Sequence, residues 1–169
     1  MNAVLTAWDE AETEAAMAAL LSCCAARRWA AEVTSMRPFE DVQALYDAAN
    51  TVWAEMGEAD WMEAFRAHPR IGDRRPAHAS AQSSAWSRQE QALTEAAAQR
   101  VIDELAAGNA RYEELFGFTY IVCATGKSAE EMLEILQRRL TSDRETELRE
   151  AAEQQRLITQ IRLRKWLEA

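Results

Sequence analysis

The 169-residue chain is poor in the residues that punctuate and staple a fold: five glycines, three prolines and three cysteines. So few breakers exclude an architecture of many short strands joined by tight turns, because hairpin turns draw on glycine and proline. Cys23, Cys24 and Cys123 contain no C-x-x-C pair, and the adjacent two point to different sides of a helix. That spacing argues against a disulfide framework and against a zinc site. Reduced thiols fit a cytoplasmic protein. No basic segment leads into an N-terminal apolar run, so no signal peptide is expected. No window approaches ~18 apolar residues, so no membrane span is expected. The tail Leu167-Glu168-Ala169 is not a peroxisomal address. Positive charge is also in the minority: 19 Lys and Arg stand against 28 Asp and Glu, for a net charge of -9. That balance argues against nucleic acid or an anionic membrane as a partner. A small anionic ligand would need locally placed cations.

What remains is rich in Ala, Glu, Leu, Arg and Gln, a mixture that favours helix. A first helix is expected after Asp9, with Glu12 placed for a capping box, running through Met17, Leu20 and Leu21. A second covers about Ala25 to Ser35, and Arg37-Pro38 breaks it. Asp41 to Met56 reads as a third, with Val42, Leu45, Ala49 and Val52 on one face. Gly57 precedes a short helix carrying Trp61, Met62 and Phe65. The longest irregular stretch runs from His68 to about Trp86, and long loops in small domains tend to carry function. A helix is expected from Ser87 to Ala107, ended by Gly108, and another from Asn109 to Leu115. Phe116 to Ala124 is apolar and reads equally as extended chain or a buried helical turn. Ser128 caps a helix through Leu140, and Thr141-Ser142-Asp143 separates it from a final helix ending near Leu167. No repeat or linker divides the chain. The fold class is all-α, as a single multi-helix domain over residues 1–169.

Three polar residues stand out. On the helix after Ser87, the buried stripe of Leu93, Ala97, Val101 and Leu105 projects back through Glu90. A carboxylate there either complements the helix N-terminus or is buried for a purpose. On the last helix, Leu148, Ala151, Gln155, Ile158 and Trp166 share a face with Arg162 in its middle, while Arg164 and Lys165 point elsewhere. Such an arginine either snorkels or pairs with a core acid, or it uses its planar fork to bind a small anion or carbonyl. His68, one of two histidines, ends a helix at Pro69, which fixes an imidazole at a rigid corner. His78 reads as solvent-exposed, and His68, Asp73 and His78 match no metal motif. Ser83, Ser84 and Ser87 sit in no nucleophile elbow, and no glycine-rich phosphate loop is present. Cys123 and the six tryptophans read as core. Ile161 to Lys165 is too short a basic run for nucleic acid.

Taken in order, the short motifs resemble the OHCU decarboxylase family (2-oxo-4-hydroxy-4-carboxy-5-ureidoimidazoline decarboxylase). The matching segments are Cys24…Trp29…Arg37-Pro38-Phe39, His68-Pro69-Arg70-Ile71-Gly72, Ser87-Arg88-Gln89-Glu90-Gln91, and Phe116-Gly117-Phe118 through Ala124. Gly126-Lys127-Ser128, Arg139-Leu140, Glu147-Leu148 and Ile158…Ile161-Arg162-Leu163 complete them. The resemblance implies an all-α homodimer that decarboxylates a small anionic ureido-imidazoline to (S)-allantoin without metal or organic cofactor. It implies that His68 is the essential catalytic residue, joined by Glu90 and Arg162. It also implies substrate contacts from Pro69, Ser87, Gln91, Tyr120, Ile121, Val122, Cys123 and Ala124. Tyr120 stands where the family often has Phe, which places an added hydroxyl near the expected pocket. Three other readings compete: an enzyme for another ureido or β-keto acid, a partner-binding helical module, and a metal hydrolase.

Overall fold

Helix-forming composition gives a helical chain: the computed structural model describes residues 1–71 and 99–169, and those residues form eight helices and no strand. They group into two compact units, Met1–Ala64 with Arg156–Ala169, and Phe65–Gln155.

The first unit holds α1 (Ala3–Glu10), α2 (Thr13–Cys23), α3 (Arg27–Ser35), α4 (Val42–Ala54) and most of α5 (Glu58–Arg66). One helix more is present at the start than the sequence patterns suggest. Asn2 caps α1 by accepting the Leu5 N–H at 2.9 Å. Buried Trp8 anchors α1, its indole N–H donating to the Ala16 carbonyl at 2.9 Å. Glu12 does stand at the N-cap of α2, but its side chain makes no capping bond. The expected capping box is therefore absent, and α2 is held by packing of Ala16 and Leu20 instead. Arg37, from the Arg37-Pro38-Phe39 motif, ties helix ends together. Its guanidinium donates to the carbonyls of Trp8 (2.6 Å), Ala11 (2.8 Å) and Thr34 (3.1 Å), closing the C-termini of α1 and α3. Asp41, read from the sequence as the start of this helix, is its cap and accepts the Ala44 N–H at 2.8 Å, and Leu45, Ala49 and Val52 are buried. Trp29 and Trp53 join Trp8 in the core, whereas Trp61 and Trp166 are half-buried.

The second unit holds α6 (Gln99–Phe116), α7 (Ala129–Arg139) and the Arg144–Gln155 portion of α8 (Arg144–Leu167). Gly108 does not end a helix, contrary to the sequence pattern. It sits inside α6, where an added Cβ would lie 2.7 Å from Leu136 Cδ2. The glycine serves close approach of α6 to α7, not termination. Ser128 caps α7, accepting the Glu131 N–H at 3.1 Å. Asp143 caps α8, accepting the Thr146 N–H at 2.9 Å, and that bond holds its carboxyl below the usual range. Residues 118–124 are neither helix nor strand, yet Phe118, Tyr120, Ile121, Cys123 and Ala124 are buried.

At the centre of this unit lies an ion pair removed from water. Arg139 is 4% exposed and Glu147 1%, and the two are in direct contact. The Tyr112 hydroxyl donates to Glu147, and Arg139 Nη1 donates to the Ile121 carbonyl. The rings of Tyr120 and Tyr112 lie 4.9 and 5.8 Å from the guanidinium carbon. Burial pushes both phenols up, against the pull of Arg139, so both stay protonated. Burial works against the charge on Arg139, but its bond to Glu147 more than offsets this and its pKa rises. A buried pair broken from one side leaves an uncompensated charge, worth about 3–5 kcal/mol. Glu147→Leu is accordingly expected to lower the thermal midpoint by roughly 6–20 °C. The double variant Arg139→Met with Glu147→Leu should recover part of that loss. Melting followed by circular dichroism checks both; a single variant as stable as the parent shows that the pair does not hold this unit together.

Candidate active site

His68 lies just past the end of α5, where its N–H reaches back to the Phe65 carbonyl at 3.1 Å. Pro69 follows without an N–H and turns the chain. Arg70 then bonds Glu113 on α6 through Nε, at 2.8 and 3.1 Å to the two carboxylate oxygens. The imidazole is thus flanked by a backbone bond on one side and a partly exposed ion pair on the other. The ring is half-buried, and its Nε2 meets Gln155 Oε1 at 2.6 Å. An oxygen can only accept, so Nε2 is the donor in this bond.

The segment 120–124 is shaped by side chains instead of a strand ladder. Asn109 Oδ1 accepts the Tyr120 N–H at 2.9 Å and the Thr119 hydroxyl at 3.2 Å. Arg139 binds the Ile121 carbonyl. Gln154 Oε1 accepts the Cys123 N–H at 2.8 Å, and Lys127 Nζ donates to the Cys123 carbonyl at 2.8 Å. Irregular backbone held this firmly offers peptide groups in fixed directions, a means of reading a small planar ring. Val122 is half-buried and Ala124 buried. The Tyr120 hydroxyl expected near the pocket is committed elsewhere. It is buried and donates to the Met132 carbonyl at 3.0 Å, because the ring packs into the Arg139 cluster.

Arg162, in the first unit, is 7% exposed, and its neighbours Arg164 and Lys165 are exposed. The stripe reading of α8 is therefore right for this residue. Its charge reaches Cys23 and Cys24. Burial pushes both thiols up to about 12, and Arg162 opposes that only in part. The three cysteines are buried and unpaired with one another.

Ser87, Glu90 and Gln91 lie outside the described residues, as do Asp73, His78 and Trp86. Among the described residues no group of three or more His, Cys, Asp or Glu side chains could hold a metal ion, and no helix is long and apolar enough to cross a membrane. The structure brings forward residues the sequence pattern did not single out: Gln155 beside His68, and Asn109, Gln154 and Lys127 around 120–124. Gln155 had a signal, a polar residue on an apolar stripe. Asn109 was masked by the assumption that Gly108 ends a helix.

Residues 9–164 match the family model for OHCU decarboxylase. The chain is 34% identical over 147 residues to the uric acid degradation bifunctional protein TTL of Arabidopsis thaliana, covering 85% of this chain but only 44% of that protein. It is 24% identical over 136 residues to the 2-oxo-4-hydroxy-4-carboxy-5-ureidoimidazoline decarboxylase of Haloferax volcanii, covering 80% and 79% of the two chains. A crystal structure of an OHCU decarboxylase in the presence of (S)-allantoin superposes with a TM-score of 0.77 at 30% identity, over 94% of this chain and all of that one. The fold is also that of an (S)-allantoin synthase, with a TM-score of 0.69 at 16% identity over 96% and 53% of the two chains.

Thiols held near a pKa of about 12 are almost wholly protonated at neutral pH. Cys23 and Cys24 are expected to stay unlabelled by a maleimide in the native protein at about pH 8 and to label fully in denaturant. Peptide mapping checks this; native labelling at the rate of a free cysteine contradicts the burial.

Proposed function

Because the chain belongs to the OHCU decarboxylase family, we infer that it decarboxylates 2-oxo-4-hydroxy-4-carboxy-5-ureidoimidazoline to (S)-allantoin in urate breakdown. The observation that carries this reading is the family match across 9–164, which spans the candidate residues. It also supports reading residues 1–169 as one functional domain. The resemblance further supports a homodimer acting in the cytoplasm on a small anionic substrate.

The substrate accounts for a reaction without a cofactor. Its carboxylate is borne by a carbon next to a ring C=N. When the carbon–carboxylate bond breaks, carbon dioxide leaves and the electron pair flows into that C=N, so no external electron sink is needed. The ring nitrogen that receives the pair takes up one proton, and the resulting enol gives up its hydroxyl proton as it gains a proton on one face of the ureido-bearing carbon, which sets the S configuration. The protein must hold the carboxylate out of the ring plane and stabilise the developing charge. His68 is assigned to polarise or deprotonate the 4-hydroxyl, or to engage the leaving carboxylate. Its corner between α5 and the Arg70–Glu113 contact suits that task, since it limits how far the ring can move. Glu90 is assigned to the ureido N–H groups or to His68, with Ser87 and Gln91 on the ring. Pro69 and the 120–124 segment complete the contacts, the latter through peptide groups, given that the Tyr120 hydroxyl is engaged with Met132. Arg162 is assigned to a carbonyl or anionic oxygen of the substrate, where a guanidinium fork gives two parallel bonds.

The short-lived substrate can be generated in situ from urate through 5-hydroxyisourate and followed by circular dichroism. Wild-type protein is expected to raise the (S)-allantoin signal well ahead of spontaneous decay, with or without chelator. His68→Ala should fold normally and lose roughly 10²- to 10⁴-fold in rate, the span that positioned acid–base groups supply. A wild-type trace no faster than decay to racemic product overturns the activity; full rate in His68→Ala overturns the assignment of that residue. Arg162→Lys is expected to lose at least ~10-fold in kcat/KM, since a point charge does not replace a bidentate fork. Near-normal kinetics there remove Arg162 from substrate binding.

A further inference from the structure

We propose that Gln155 is the positioning residue of His68: its carboxamide oxygen accepts from the ring Nε2–H and so fixes the tautomer and orientation in which the ring meets the substrate. The proposal rests on the reading of His68 as the reacting group.

Four observations support it. The contact is short, at 2.6 Å, and joins residues 87 positions apart in sequence. Gln155 is 1% exposed, so the ring edge facing it is the inner one. The chemistry of the partner also matters. A carboxylate in this position would favour the imidazolium by charge. A neutral amide orients the ring and selects the protonated nitrogen with much less bias between the two charge states. That suits a histidine that must both take and return a proton in each turnover. Finally, the preceding residue on α8, Gln154, holds the Cys123 N–H at 2.8 Å. Its amide is itself oriented by donating to Glu150 at 3.0 Å. Two consecutive glutamines on one helix therefore set the two parts of the candidate site in the second unit, the histidine and the irregular segment.

The test combines nitrogen-15 NMR of the imidazoles with steady-state kinetics. With two histidines in the chain, His68→Ala assigns the signals. In the resting wild-type protein, neutral His68 is expected with its proton on Nε2. Gln155→Met keeps the length of the side chain and removes the acceptor. It should yield a mixture of tautomers and lower kcat roughly 10- to 100-fold, the usual effect of losing a partner that orients a histidine, with KM changed by less than about twofold. Gln155→Glu keeps an acceptor oxygen and should restore the Nε2–H tautomer. A wild-type ring protonated on Nδ1 overturns the proposal. So does Gln155→Met with unchanged tautomer and kcat, or with a loss confined to KM. Should Gln155→Met unfold, the wild-type and Gln155→Glu spectra decide. These nitrogen signals need no substrate, so they separate failure of this proposal from failure of the decarboxylase reading, which shows as a wild-type protein without turnover.

Discussion

The Arg139–Glu147 pair is the constraint on which the second unit is arranged. Two opposite charges have been taken almost wholly out of water, and such a pair is tolerable only when its remaining hydrogen-bonding capacity is filled. Glu147 fills part of its share with the Tyr112 hydroxyl from α6. Arg139 fills part of its share with the Ile121 carbonyl. One electrostatic requirement therefore fixes α6, α7, the start of α8 and the irregular segment together. The aromatic rings follow from it: Tyr112 and Phe118 meet edge to face at 5.6 Å, and Phe118 in turn meets Phe65 near the end of α5 at 5.3 Å. The corner that carries His68 begins three residues later. Stability and site geometry in this unit thus share one set of contacts.

The charge pattern of the whole chain takes on a different sense beside this arrangement. Acidic groups dominate by number, yet two arginines are among the buried residues, Arg139 and Arg162. One is matched by a buried glutamate. The other, Arg162, lies near two thiols that burial keeps protonated. A guanidinium tolerates such placement better than an ammonium because it is weakly hydrated and stays charged.

How much of this could be read from the sequence varied with the kind of signal. Helix class was legible because it is local, and so was the cap at Ser128, which accepts the Glu131 N–H; the capping box expected at Glu12 was not formed. The burial of Arg162 was legible from periodicity alone. The first helix was not, because its end is completed by Arg37, some thirty residues away along the chain. Nor was the role of Gly108, since a glycine that admits a neighbouring leucine looks in sequence like one that stops a helix. The 120–124 segment was undecidable for a similar reason: its shape is imposed by Asn109, Arg139 and Gln154, all remote in sequence. Gln155 appeared as one polar member of a stripe, and only its distance to His68 gives it a task.

The side chain that opens the first helix also reaches the last. Asn2 caps α1 with its oxygen and donates from its amide nitrogen to the Leu167 carbonyl at 2.9 Å. The two extremities of the first unit are consequently neighbours. The ends of the chain can be joined by a short linker and reopened at an exposed turn, or the whole can be carried within a longer polypeptide, with little strain on the helices between.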